Sequence, residues 1–473
     1  MNSPEDKKYF DYKVLLDEFG ISYSDDGDFY LIGKPSISDT WLLFLSIRAF
    51  EGPQVLKKIL LFLSINNANF KVIKTQLLHF QINAGMLWKY INGEKLPVEI
   101  RKCITVYPKS DEETQFLITN LLELTQSFES PEIPDAKKIG NILYLKHFPS
   151  QNIPINESHI IIEKKNNPFK YKMGFNNPKY RRKVYGKYFI PFQVIQESLK
   201  GIVLKAINIK HLSLTWCLIK IGYEYAMEDI YNRDSKSRLK WEMHALGQLS
   251  LAINVPKVLG YFEKKDYFCL ITEYIEGTSL EETISQLLNS MIWRDIEHGI
   301  KIKILEYFLK IIDTVETIHK KGFIHRDVTP ANFIIDKENN LFCIDFELSY
   351  SSTIKQPAPP FLLGTIGYAS PEQLALSEPT PFEDTYALGG ILLYFVTGTT
   401  PEVFDRQHKG GYLTEIENLS GDKEISQLIG LCRERDISSR ISTIEEIRKS
   451  VEMIKIKIGN KIDMKTPSPF LLV

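Results

Sequence analysis

Residues 319–345 read HKKGFIHRDVTPANFIIDKENNLFCID, and the reading of this stretch decides the fold. It predicts the end of a helix, a loop, a short strand, a turn over Lys337–Asn340 and a second strand closing on Asp345. Asp327 and Asn332 stand five residues apart in the loop. The order H-R-D-x-x-x-x-N, strand, Asp-Phe supplies one carboxylate to orient a hydroxyl. It also supplies an amide oxygen and a second carboxylate as hard oxygen ligands for Mg²⁺. A lone His-Arg-Asp triplet would be three polar loop residues; the full spacing is far more specific.

Composition sets bounds around that stretch. The chain has 473 residues, enough for two or three domains at roughly 150 residues each. Hydrophobic content of 44% and charged content of 25% are ordinary for a globular protein. The formal net charge of −1 gives no field that would draw nucleic acid or an anionic membrane. Cys103, Cys217, Cys269, Cys343 and Cys432 are scattered without a C-x-x-C pair, so they read as reduced core thiols. The N-terminal MNSPEDKKYFDYK lacks an apolar signal core, and runs such as TWLLFLSI stop short of membrane-spanning length. These features predict a soluble, cytoplasmic protein with no nucleic-acid or membrane partner.

The 319–345 stretch resembles the catalytic loop and metal-binding motif of the protein kinase superfamily. The resemblance runs over about 186–457 and implies a bilobal fold, with a small lobe near 186–276 and a large lobe near 277–457. It implies ATP, or another NTP, with Mg²⁺. Asp327 would orient the attacking hydroxyl, and Asn332 and Asp345 would hold the metal. YFIPFQVIQESLKGIVLKAINI (188–209) looks like the hairpin over the nucleotide phosphates, although Gly201 is its one glycine. Lys220 ends the apolar strand TWCLIKIG and matches the lysine that grips the phosphates. The helix RDSKSRLKWEMHALGQL carries Leu239, Glu242 and Leu246 on its inward stripe. A carboxylate there is costly to bury unless paired, so Glu242 is the natural partner of Lys220. EYIEG resembles the linker between lobes, whose backbone from Glu273 to Ile275 would meet adenine. Glu372, Asp384 and Arg440 match structural anchors of the large lobe. Ser349, Ser351, Ser352 and Thr353 are hydroxyls that a phosphate could occupy against Arg326. Two positions depart from ordinary Ser/Thr kinases: Thr329 stands where they carry Lys, and Glu347 where they carry Gly.

Before this region, PQVLKKILLF predicts a helix opened by Pro53, with Val55, Leu56, Ile59, Leu60 and Leu63 on one face. Ser110-Asp-Glu-Glu113 predicts a capping box, followed by Phe116, Leu117, Leu121 and Leu124 facing inward. With the strand-like segments between, residues 1–150 read as a compact α+β or α/β domain, and the whole chain as α+β. TW-x-x-x-LSI, NFK, CITVYP, SPEI-x-D and ILYLKHF, in that order, resemble the phospho-Ser/Thr lyase domain of class III lanthipeptide synthetases. In that family the kinase phosphorylates Ser and Thr of a ribosomally made precursor peptide, and the lyase removes the phosphate by β-elimination. The resemblance implies Lys71 as a base, and Arg101, Lys102 and Lys146 as phosphate-binding cations. The family's Lys-x-His pair is absent, because this chain reads Trp41-Leu42-Leu43-Phe44. Either the domain keeps the fold for peptide docking or kinase support, or another histidine, His79 being nearest, supplies the acid.

Residues 151–185 are basic, aromatic and rich in Asn-Pro. They read as a solvated linker rather than as a patch for an acidic peptide, and a similar NPF linker joins lyase to kinase in the lanthipeptide synthetases. Residues 458–473 read as a tail, with no cyclase domain after the kinase: either a separate cyclase or lyase protein closes the rings, the sequence is truncated, or the product bears no rings. The expected function is a Ser/Thr kinase of a precursor peptide. The alternatives are a bacterial Ser/Thr signalling kinase with a repurposed N-terminal domain and a nucleotide-binding pseudokinase scaffold.

Overall fold

A computed structural model describes residues 9–35, 40–83, 88–91, 94–97, 100–133, 136–148, 184–210, 214–229, 231–361, 364–407 and 412–463. Nearly all of the expected linker and the last ten residues of the expected tail lie outside that set. The chain forms two compact units. The first comprises Met1–Leu204, Lys220–Ser237 and Glu263–Phe268; the second comprises Lys205–Ile219, Arg238–Phe262 and Cys269–Val473. Segments of the later half are bonded into the first unit, as described below.

The first unit holds α1 (Lys13–Glu18), α2 (Gly52–Ile65), α3 (Gln76–Asn83) and α4 (Asp111–Thr125). Its strands are β1 (Ser24–Asp26), β2 (Phe29–Ile32), β3 (Thr40–Leu45), β4 (Asn69–Ile73), β5 (Trp88–Ile91), β6 (Glu94–Pro97), β7 (Ile104–Tyr107), β8 (Lys137–Lys138) and β9 (Leu143–Phe148). Seven of them make one sheet in the order β1-β2-β4-β7-β3-β9-β8, with every neighbouring pair antiparallel. An antiparallel sheet makes this region α+β, not α/β.

Strand alternation sends Leu43 and Leu45 to one face and Leu42 and Phe44 to the other. On the first face they join Val55, Leu56, Ile59, Leu60 and Leu63 of α2 and Leu117 and Leu121 of α4 in the main core. Each such side chain contributes roughly 1.5–3 kcal/mol by burial. The Ser110 hydroxyl accepts from the Glu113 N–H at 3.2 Å, one half of the predicted capping box, while the Glu113 carboxylate accepts from the Lys109 N–H at 2.6 Å. Phe116 does not face inward as expected. It is 46% exposed and stacks on Phe62 at the surface.

Strands β10 (Phe189–Glu197), β11 (Gly201–Asn208), β12 (Thr215–Tyr223), β13 (Val258–Lys264) and β14 (Tyr267–Glu273) form a sheet in the order β10-β11-β12-β14-β13. Helix α5 (Ser235–Leu249) follows β12. The second unit adds β15 (Gly277–Ser279), α6 (Leu280–Leu288), α7 (His298–Lys320), β16 (Phe323–Ile324), β17 (Phe333–Asp336), β18 (Leu341–Cys343) and β19 (Tyr350–Ser351). Helices α8 (Pro371–Leu374), α9 (Pro381–Thr397), α10 (Pro401–Gln407), α11 (Tyr412–Ser420), α12 (Lys423–Cys432) and α13 (Ile444–Asp463) complete it. Helix α13 runs past residue 457, so the expected tail begins inside a helix.

Helix α9 is apolar all round from Ala387 to Val396 and buried throughout, the pattern of a central core helix. Pro381 opens it and Gly398, at φ 67°, ends it in the left-handed conformation. Among the described residues no single helix is long and apolar enough to cross a membrane.

Candidate active site

The hairpin predicted from the opening stretch is present, with Phe333 opposite Cys343, Ile334 opposite Phe342 and Ile335 opposite Leu341. Strand β18 ends at Cys343, two residues before Asp345, and the chain then turns through a positive φ of 64° at Asp345. The Ile344 N–H donates to Asn332 O at 2.9 Å, which locks the residue before Asp345 to the loop that carries Asn332.

The loop itself hangs on Asp384 of α9. Its carboxylate accepts from the His325 N–H at 2.9 Å, the Arg326 N–H at 2.8 Å and His319 Nε2 at 2.7 Å. Burial alone would push this carboxyl up, but the bonds from His319 and the His325 N–H hold it below the ordinary value. These bonds also sustain a left-handed Arg326, at φ 66°, a conformation costing about 1–3 kcal/mol. Gln373 Nε2 donates to the Arg326 carbonyl at 2.8 Å from the other side.

Two groups then aim Asp327. Its Oδ1 accepts the Thr365 hydroxyl at 2.7 Å and the Thr365 N–H at 3.1 Å, while its Oδ2 accepts Asn332 Nδ2 at 3.1 Å. Asn332 Nδ2 also donates to the Asp327 carbonyl at 2.8 Å. With the amide nitrogen so engaged, the Asn332 oxygen is the end that can serve a cation. An amide oxygen with the Asp345 carboxylate is the hard donor chemistry that suits Mg²⁺. Phe346 packs on the His325 ring at a centroid distance of 4.7 Å. Glu347, for which an outward position would be the ordinary expectation, is instead 8% exposed.

Arg326 has partners that the sequence reading did not name. Its Nε donates to Glu383 Oε2 at 2.8 Å, and its Nη1 to the carbonyls of Leu348 (3.2 Å) and Phe361 (2.9 Å). The anion that a loop phosphate would have provided is a carboxylate of α9. Ser349 and Ser351, two of the four hydroxyls that a phosphate could have occupied, are buried, in keeping with the reading of them as ordinary loop hydroxyls. Glu383, Gln373 and His319 were not singled out from sequence. A second acid beside Asp384 on an apolar helix was the available signal for Glu383.

The remaining anchors lie in place within the second unit. Arg440 grips Glu372 through two bonds, at 2.5 and 3.1 Å. Glu242 is 2% exposed on α5, on the same buried stripe as Leu239 and Leu246. Beside it, Trp241 Nε1 donates to the Ser349 carbonyl at 2.6 Å, tying α5 to the segment after Asp345. Glu273 ends β14 with its N–H donated to Lys257 O at 2.8 Å, and Ile275 follows two residues on.

In the first unit, Lys220 lies part-buried in β12. Gly201 follows a three-residue turn, and a Cβ there would come within 1.9 Å of the Ile221 carbonyl. Its absence of side chain is therefore accounted for by strand packing, without a phosphate. The cations predicted from the lyase resemblance divide. Register places Lys71 opposite Thr105, Thr105 opposite Phe44, and Lys146 opposite Leu42, so Lys71 and Lys146 share one sheet face. Lys102 Nζ lies 4.7 Å from the Phe44 ring centroid. That face is filled by an apolar cluster of Leu42, Phe44, Tyr107, Ile133 and Tyr144, in which Leu42 and Phe44 are 4% and 2% exposed.

Arg101 is corrected outright. It is buried, and its guanidinium donates to the carbonyls of Asn83 (3.4 Å), Glu132 (2.7 Å) and Leu199 (2.7 Å), so it is engaged by main chain and not offered to a phosphate. Burial draws its pKa down to about 10. His79 is no acid for elimination either. It is fully buried between Tyr12 OH (2.9 Å) and the Ile47 carbonyl (2.8 Å), and burial lowers its pKa to about 4.

A sheet-rich small lobe followed by a helical lobe, with an acid-and-amide loop slung from a buried aspartate, is the protein-kinase arrangement. The sequence matches the family described as Protein kinase domain over residues 215–451, and the chain belongs to that family. Among similar proteins is Serine/threonine-protein kinase B of Synechocystis sp., 28% identical over 231 residues, covering 47% of this chain and 38% of the relative. Serine/threonine-protein kinase PKH3 of Eremothecium gossypii is 35% identical over 168 residues, or 33% of this chain and 23% of the relative. Serine/threonine-protein kinase PknA of Nostoc sp. is 25% identical over 209 residues, or 42% and 35%. This chain thus spans well under half the length of each.

Proposed function

We propose that this chain is a Ser/Thr kinase whose acceptor is a hydroxyl on an unfolded, ribosomally made peptide. The observation that carries the reading is Asp327, whose Oδ1 already accepts a hydroxyl, that of Thr365, at 2.7 Å. An acceptor Ser or Thr presented to the same carboxylate would have its proton directed to Asp327 and its lone pair turned outward for attack. Mg-ATP, when bound, supplies the phosphoryl group and the charge that neutralises it. Asn332 and Asp345 would hold the metal, Lys220 with Glu242 the phosphates, and the backbone from Glu273 to Ile275 the adenine.

The peptide acceptor is supported by Thr329 and Glu347, which depart from ordinary Ser/Thr kinases in the way the lanthipeptide enzymes do, and by the antiparallel sheet region that precedes the kinase. Phosphate elimination forms no part of the reading. The lyase positions hold Leu42 and Phe44 within an apolar cluster, and neither can transfer a proton. A second reading, a kinase whose acceptor is a folded protein, agrees with the bacterial relatives being named serine/threonine-protein kinases.

The test is mass spectrometry after incubation with Mg-ATP and, separately, unstructured Ser/Thr peptides and folded proteins. Phosphate on the peptides supports the first reading, and phosphate on folded proteins alone supports the second. Net loss of water from a peptide would restore elimination, and no phosphate on any acceptor would overturn the kinase assignment.

A further inference from the structure

The N-terminal sheet region grips two segments that a kinase must hold still. One is the pair of stretches 224–229 and 231–234, which launch α5. Arg48, next to α2, pairs with Glu228 at 2.5 Å and lies over the Tyr225 ring at 4.4 Å from its centroid; it also bonds Asn232. The pair is largely withdrawn from solvent, with side chains 12% and 4% exposed, so it is not the screened surface contact that contributes little. Glu129, after α4, accepts the Tyr225 hydroxyl at 3.0 Å and pairs with Lys265 in the β13–β14 turn at 2.8 Å. The other segment is the turn at 198–200 between β10 and β11, where Arg101 donates to the Leu199 carbonyl at 2.7 Å.

The loop needs such support. Tyr225, Met227 and Asn232 all have positive φ, of 60°, 51° and 64°, a conformation L-residues keep only where surroundings enforce it. What the loop then does is start a helix. Asp234 Oδ2 accepts the Tyr225 N–H at 3.0 Å while its Oδ1 accepts the Ser237 N–H at 3.0 Å, in the manner of an N-cap. The Ser235 N–H and hydroxyl both donate to Ala226 O, at 2.9 and 3.0 Å. Glu242 lies about two turns further along that helix.

We infer that Arg48, with Arg101 and Glu129, positions the kinase centre: the N-terminal sheet region sets the start of α5, and so the placement of Glu242, and steadies the turn at 198–200. The N-terminal sheet region acts as a fixed brace for phosphoryl transfer. These are positioning residues, acting through the loop and the turn, and the inference rests on the kinase reading above.

The experiment uses the full chain with γ-labelled ATP and Mg²⁺, scoring autophosphorylation and transfer to unstructured Ser/Thr peptides, beside amide hydrogen exchange. Arg48→Ala should lower kcat by about tenfold or more, and Arg48→Lys, which keeps the cation facing Glu228, should recover much of it. Exchange in Arg48→Ala should quicken across 224–245 while α2, on the other side of the tie, stays protected. Wild-type kcat in Arg48→Ala would overturn the inference. So would equal losses in the Ala and Lys variants with exchange across 224–245 unchanged. A wild-type chain that transfers no phosphate would instead overturn the kinase reading, and the exchange measurement would still judge the brace by itself.

Discussion

Replacing Glu383 with Ala leaves Arg326 buried with only the Leu348 and Phe361 carbonyls. The two side chains of the pair are 1% and 0% exposed, so water cannot take over the lost contact. Removing one partner of a buried ion pair costs roughly 3–5 kcal/mol, because the remaining charge is uncompensated. Glu383→Gln behaves differently. Burial raises the Glu383 carboxyl to about 7 against the pull of Arg326, so the charge itself adds little over a neutral acceptor. Gln keeps an oxygen for Arg326 Nε and should cost within about 1 kcal/mol.

The pH dependence has a definite sign. The folded-state pKa lies above the unfolded value of 4.5, so the folded protein binds the extra proton in that window. Stability of the native chain relative to Glu383→Gln should rise as pH falls from 7 toward 4.5. Urea unfolding of the three proteins at pH 8 and pH 6 measures both effects. An Ala variant within about 1 kcal/mol of wild type, or a Gln variant as damaged as Ala, would refute the claim that Arg326 Nε needs an acceptor oxygen at this position rather than a charge.

Three further outcomes follow from the first unit. His79, lowered to about 4 from 6.5 by burial, binds its proton more readily unfolded, so about 3 kcal/mol of stability is lost as pH falls from 6.5 to 4. Near-UV circular dichroism across that range should show the loss, and His79→Gln should shift it to lower pH; an unmoved acid limb would contradict the assignment. Gly201→Ala drives a methyl into the Ile221 carbonyl and should lower the melting temperature of the full chain. A variant as stable as wild type would remove the packing reason for that glycine. Phe44→Ala opens a cavity in the cluster of Leu42, Tyr107, Ile133 and Tyr144 and should cost about 3–5 kcal/mol by urea unfolding. A loss below about 1 kcal/mol would mean that face is not closed by packing.

What was legible in the sequence was periodic or local. The buried face of α2, the Ser110 cap and the β17–β18 hairpin each follow from residues a few positions apart, and the structure has them as read. The loop motif was legible because its residue order is bound to one chemistry. Lost from view were contacts between distant segments. Arg101 looked like a phosphate ligand because its type and neighbourhood suited one, yet its partners are carbonyls at residues 83, 132 and 199. Phe116 matched the inward phase of α4 but fell at the edge of the stripe, where a second aromatic, Phe62, could cover it from α2. Glu383 could be read as a polar first-turn residue until Arg326, 57 residues earlier, was seen beside it.

The central claim is that Asp327 directs a hydroxyl toward a phosphoryl group. Asp327→Asn keeps the side chain's size and one oxygen to accept from Thr365, but removes the carboxylate charge and sets an NH2 donor against Asn332 Nδ2. The decisive measurement is phosphate transfer from Mg-ATP to Ser/Thr peptides, with nucleotide binding followed in parallel by calorimetry. Nucleotide affinity close to wild type, with turnover reduced by about 10²–10⁴, is the predicted result; turnover equal to wild type would contradict it.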